Sequence, residues 1–79
     1  MNKSEIIRTL AKDRCISISD ARKAVNRFLD LIAEGLNRDN KVSLHGFGTF
    51  YVEESKAMKP PKKRKPRFKV GTELNMAVN

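Results

Sequence analysis

The sequence predicts an α+β fold: two N-terminal helices, a three-stranded antiparallel sheet and a short C-terminal helix. Three observations carry this. Apolar residues recur at helical spacing as far as Leu36. From Val42 the apolar period drops to two, the mark of half-buried strands. Between the two stretches of that period stands Gly46-Phe47-Gly48, a turn whose glycines allow positive φ.

Asn2, with Glu5 three residues later, reads as a capping-box-like helix start. Ile6, Ile7, Leu10 and Ala11 form the apolar side of this first helix, which should end near Arg14 or Cys15. Ser17 with Asp20 opens a second helix, the acid lying near its positive end. Ala21, Val25, Phe28, Ile32 and Leu36 make its stripe, widened by Ala24, Leu29 and Leu31. A stripe this wide exceeds what one short neighbouring helix covers, so part of the core is expected to belong to a second chain. Gly35 inside this helix implies close packing there, and the polar residues 37–40 read as its stop.

Val42 and Leu44 then alternate with Lys41, Ser43 and His45 as a first strand, and Thr49-Phe50-Tyr51-Val52 returns as a second. Arg67-Phe68-Lys69-Val70 alternates as a third, with Phe68 on one face and the cations on the other. Gly71-Thr72-Glu73-Leu74 opens the last helix, with Leu74, Ala77 and Val78 as its apolar side.

Charge is distributed unevenly. The 79 residues carry a formal net charge of +8. Residues 56 to 69 hold Lys56, Lys59, Lys62, Lys63, Arg64, Lys65, Arg67 and Lys69 without an acid. A solvated basic tail and a polyanion-binding surface both fit such a run, since each cation laid on a phosphate releases a condensed counterion. Pro60, Pro61 and Pro66 keep the run out of helices and sheet centres. Residues 58–62 are then either the bend of an outward hairpin or part of a loose run.

Composition excludes several classes. One cysteine, Cys15, and one histidine, His45, provide neither a disulfide nor a Cys/His metal site. No nucleophilic constellation or phosphate-cradling glycine loop can be assembled, so no enzyme and no cofactor are expected, and His45 reads as a strand or turn residue. No apolar run approaches a membrane span and the N-terminus lacks a signal-peptide core. With the lone thiol, this fits a cytoplasmic protein. A chain of this size without staples is expected to dimerise.

The order of elements, with Met1-Asn2-Lys3-Ser4 before Ile6-Ile7, Gly46-Phe47-Gly48-Thr49-Phe50, and Pro66-Arg67-Phe68-Lys69-Val70-Gly71 before Glu73-Leu74, resembles the bacterial HU / integration host factor family. The likeness covers residues 1–52 and 66–79. It implies an intertwined dimer with a helical dimerisation body (residues 1–40), a β-saddle with an arm (41–70) and a C-terminal helix (71–79), all in one domain. It also implies arms that reach around the DNA minor groove and wedge a proline between base pairs. Here only thirteen residues separate the second strand from the Pro66 match, and the arm-tip Arg-Asn-Pro motif is absent. The arm is therefore expected to be truncated, with Pro60 and Pro61 as candidate wedge residues. Glu53 and Glu54 stand where relatives tend to be neutral or basic.

Carried over by the resemblance, Lys3 reaches a phosphate from the first helix start, the Gly46 amide touches one near the saddle, and Lys69 stands beside the glycine that opens the last helix. With the cations from Lys56 to Lys69 these form the expected DNA-binding set. Val25, Phe28, Leu29, Ile32, Leu36, Leu44, Phe47, Phe50 and Phe68 form the expected core and dimer interface. The function expected is binding of double-stranded DNA, without sequence specificity, by a nucleoid-associated homodimer. An alternative is an interaction protein that heterodimerises with a full-length HU-type chain and modulates its bending. The cluster at 61–65 also fits an import-like signal, and RNA is an alternative polyanion, though no exposed aromatic set favours single strands.

Overall fold

The computed structural model describes residues 1–54 and 64–79. Their order is α1 (Lys3–Arg14), α2 (Ile18–Asp39), β1 (Lys41–Leu44), β2 (Gly48–Glu54), β3 (Arg64–Val70) and α3 (Thr72–Val78), the predicted α+β sequence of elements. Internal packing divides the chain into two units, Met1–Leu31 and Ile32–Asn79.

In the first unit, helix starts and stops follow local chemistry. The Asn2 side-chain oxygen accepts the Glu5 amide at 2.9 Å, and the Ser17 hydroxyl accepts the Asp20 amide at 3.0 Å. Each cap satisfies a donor that the helix itself leaves open. Cys15 ends α1 in the left-handed region (φ 55°), and the Ile16 amide turns back to the Ala11 carbonyl at 3.0 Å. Its thiol is exposed. Ile7, Ala11 and Ala21 are buried, with Leu10 and Val25 packed against them. Ile6, predicted on the same stripe, is exposed.

In the second unit, α2 runs on through Asn37, Arg38 and Asp39, three residues expected to stop it. Polar side chains do not break a helix. The end comes at Asn40, which adopts φ 61°, a conformation asparagine tolerates better than most residues. The sheet has the order β1-β2-β3, antiparallel throughout. β2 and β3 pair without interruption from Gly48 opposite Val70 to Glu54 opposite Arg64, so both extend further toward the basic run than predicted. Pro66 lies within β3, an edge strand of the sheet, opposite Val52. Val52 gives its amide to the Asn40 carbonyl at 3.0 Å, on the β1 side. Pro66 therefore faces a position with no ladder bond to β2, and its missing N–H costs the sheet nothing.

The two glycines of the turn serve different ends. Gly46 takes φ 78°, as the turn requires. Gly48 is instead the buried first residue of β2, where a Cβ would lie 2.6 Å from the Lys69 carbonyl and against the Phe68 ring. Phe50 and Phe47 stack on that ring at centroid distances of 4.7 and 5.6 Å. Close packing expected at Gly35 is present: Val42 occupies the space a side chain there would need. Of the apolar side predicted for α3, only Leu74 is half-buried; Ala77 and Val78 are exposed.

Candidate nucleic-acid interface

Alternation along paired strands sorts the sheet into two faces. One carries Val42, Leu44, Phe50, Val52, Phe68 and Val70. On the other, register sets Lys41, Tyr51 and Arg67 in one row, Ser43, Thr49 and Lys69 in the next, and Glu53 opposite Lys65. Lys41, Lys65, Arg67 and Lys69 are all exposed. Residues far apart in sequence thus converge on a basic face whose single acid among the described residues is Glu53. That acid is engaged: the Arg67 Nε donates to its Oε2 at 2.9 Å.

The predicted site residues separate accordingly. Lys65, Arg67 and Lys69 share the basic face. Arg64 does not. It lies in phase with Pro66 and Phe68 on the opposite face, and its guanidinium donates to the Leu36 carbonyl at 3.2 Å and to the Asn40 side-chain oxygen. There it caps the Leu36 carbonyl at the negative end of α2. Lys3 is exposed at the first position of α1, in the other unit. Gly46 stands at the turn, with the Glu73 carboxylate directly over it. The Gly71 amide beside Lys69 is not open to a ligand, because it donates to the Phe47 carbonyl at 2.8 Å. His45 is an exposed turn residue. Lys56, Lys59, Lys62, Lys63, Pro60 and Pro61, with the bend expected at 58–62, lie outside the described residues.

Sequence reasoning missed Lys41 and Tyr51. The signal was present: Lys41 is in phase with Ser43 and out of phase with Val42 and Leu44, which puts it on the same face as the β3 cations once register is known. Elsewhere the charges of α2 partly cancel. Arg38 bonds Asp39 at 3.1 Å, and this hydrogen bond, followed by the carboxylate's charge, raises the Arg38 pKa above its ordinary value.

The residues expected in the core and dimer interface are only partly covered. Val25, Ile32, Leu36, Leu44 and Phe50 are half-buried. Phe28, Leu29, Phe47 and Phe68 are 50%, 45%, 45% and 41% exposed. A groove of about 530 Å³ opens between α1 and α2, lined by Ile6, Leu10, Val25, Phe28 and Leu29 among others. Among the described residues no cluster of His, Cys, Asp or Glu could hold a metal, and no helix is long and apolar enough to cross a membrane.

The whole chain, residues 1–79, matches the family described as Bacterial DNA-binding protein. It is 39% identical to DNA-binding protein HU of Geobacillus stearothermophilus, over 99% of each chain. With DNA-binding protein HU 1 of Bacillus subtilis the identity is 37%, over 99% of this chain and 97% of that one. Both alignments span 89 positions against 79 residues here, so at least ten positions of these relatives have no counterpart. Among solved structures, an HU variant from Thermotoga maritima superposes with a TM-score of 0.79 at 32% identity, over all of both chains. HU from Anabaena, in a cocrystal with DNA, gives 0.83 at 28%, over 99% and 97%. A full-length family match, relatives above 30% identity and the same order of helices and strands agree: the chain belongs to the HU / integration host factor family of histone-like bacterial DNA-binding proteins.

Proposed function

We propose that this chain is a nucleoid-associated homodimer that binds double-stranded DNA without sequence specificity, through the basic sheet face and the cation run at 56–69, with reduced wrapping and bending. The family binds DNA and is not a catalytic one. The observation that carries the reading is that register brings Lys41, Lys65, Arg67 and Lys69 onto one face of a sheet whose opposite face carries Val42, Leu44, Phe50, Val52, Phe68 and Val70. Lysine and arginine laid on phosphates give affinity by counterion release and carry little base information. A site of this kind belongs with the chromosome, in the bacterial cytoplasm.

Dimerisation follows from the size of the core. Ile7, Ala11 and Ala21 are the buried hydrophobic residues among those described. Two of the three are alanines, too little full apolar burial to offset the ordering of the described helices and strands. A second copy covering Phe28, Leu29 and the groove beside them supplies the rest. Reduced bending follows from chain length. Nine residues join Glu54 to Arg64, and a chain that must go out and return over them reaches at most about 17 Å. We assign to this segment the positions that the longer relatives have in excess. Pro60 and Pro61 remain the candidates for a wedge, and Lys3 for a phosphate contact on the helical body.

Salt dependence and charge reversal test the reading. With about six phosphates neutralised, log K falls against log salt with a slope near −5, so about fourfold more salt weakens binding roughly 10³-fold. Reversing the charges at Lys62, Lys63 and Lys65, with Arg64 kept for its bonds to Leu36 and Asn40, should flatten that slope on straight and pre-bent duplexes alike, and a Lys3 variant should lower it by about one. Normal binding by the charge-reversed protein would remove the basic run from the interface.

The shortfall of at least ten positions favours a second reading, in which the chain pairs with a full-length HU-type partner and alters its bending. Native mass spectrometry of the mixed proteins decides it: mixed dimers support this role, and their absence eliminates it.

A further inference from the structure

We propose that Glu53 is an internal competitor for Arg67, occupying a phosphate-binding guanidinium in the free protein and setting how tightly the basic face holds DNA. The inference rests on the DNA-binding reading above. Glu53 is the single acid among the described residues of this face, directly opposite Lys65 and bonded to Arg67 at 2.9 Å. Its side chain is 57% exposed and that of Arg67 51%. An ion pair so open to water contributes little to folding and exchanges partners readily. Its position is what matters: it lies where a duplex resting on Lys41, Lys65 and Lys69 would bring a phosphate.

Two consequences follow for binding. Arg67 must give up Glu53 before it takes a phosphate, so its contact is an exchange of one anion for another. The carboxylate left behind then stands on a face that meets a polyanion, and it offsets about one cation's share of the counterion release. Binding is thus weaker, and less steep in salt, than the row of cations alone would give. Glu54 does not share this role, since it lies on the other face opposite Arg64.

The test is a cycle of Glu53→Gln, Arg67→Gln and the double variant in the full-length dimer. Affinity for a fluorescent duplex is measured by anisotropy between about 50 and 200 mM salt. Glu53→Gln is expected to bind about three- to tenfold tighter at the low end, with a slope steeper by about 0.9. A damaged fold loses affinity, so a gain cannot arise from misfolding. In the Arg67→Gln background the gain should be no more than about half as large, because only the carboxylate's repulsion remains and there is no guanidinium left to release. If the gain persists there in full, Glu53 only repels DNA and the exchange is overturned. If Glu53→Gln binds no tighter while the wild type keeps its steep slope, the competitor role is overturned and DNA binding stands. A wild-type slope near zero would instead overturn the DNA-binding reading and this inference with it.

Discussion

Asn40, at φ 61°, donates its amide to the Leu36 carbonyl at 3.1 Å, accepts the Val52 amide at its own carbonyl and accepts the Arg64 guanidinium at its side-chain oxygen. One residue thereby closes α2, aligns β1 with β2 and ties the start of β3 to both. Its two contributions can be separated. Asn40→Ala loses the Arg64 acceptor and places a Cβ residue without a local hydrogen bond in the left-handed region, a cost of about 1–2 kcal/mol. Asn40→Gly loses only the acceptor, and should cost about 1 kcal/mol less than the alanine variant in denaturant unfolding at fixed protein concentration. Equal losses would mean that the side-chain bond, not the backbone conformation, sets the effect. Arg64 shows how far a residue's role can hide from sequence. Read as one member of a basic run, it belongs with its neighbours. Counted back from Phe68 by twos, it falls on the apolar face, and its partner Leu36 lies 28 positions away, where no local pattern points.

At the scale of elements, caps and alternation were legible. Asn2, Ser17 and the glycine turn stand where the structure uses them, and the period of two around Val42 and Phe68 assigned both strands. Boundaries were not legible, for physical reasons. The end of α2 depends on which residue adopts the left-handed region, not on polarity. The outer ends of β2 and β3 are charged, Glu53-Glu54 against Arg64-Lys65, residues of low strand propensity that are held in the ladder by their partners. The basic face depends on register, and register is written in neither strand alone. What holds it is the aromatic cluster, in which Phe68 meets Phe50 and Phe47 across the sheet. Phe68→Ala should therefore destabilise the protein by about 2–3 kcal/mol in thermal or denaturant unfolding, with Phe68→Leu retaining more than half of that. A loss under about 0.5 kcal/mol would show that the cluster does not fix the sheet.

For the whole molecule, stability and assembly should be inseparable. If the exposed phenylalanines and leucines are covered by a second copy, each tenfold dilution removes about 1.4 kcal/mol from the folded dimer, or about 4 °C in Tm for a dimer of this size. A Tm independent of concentration across the micromolar range would mean that the protomer stands alone, against the dimer. Pro66 bears on a different hazard. A protein gathered densely along DNA brings many sheet edges close together, and an open edge strand is a template for runaway strand addition. β3 offers a poor template: Pro66 has no N–H to give, and Lys65, Arg67 and Lys69 repel an identical strand. The same short segment proposed to meet phosphate thus makes β3 a poor surface for a second copy to add to.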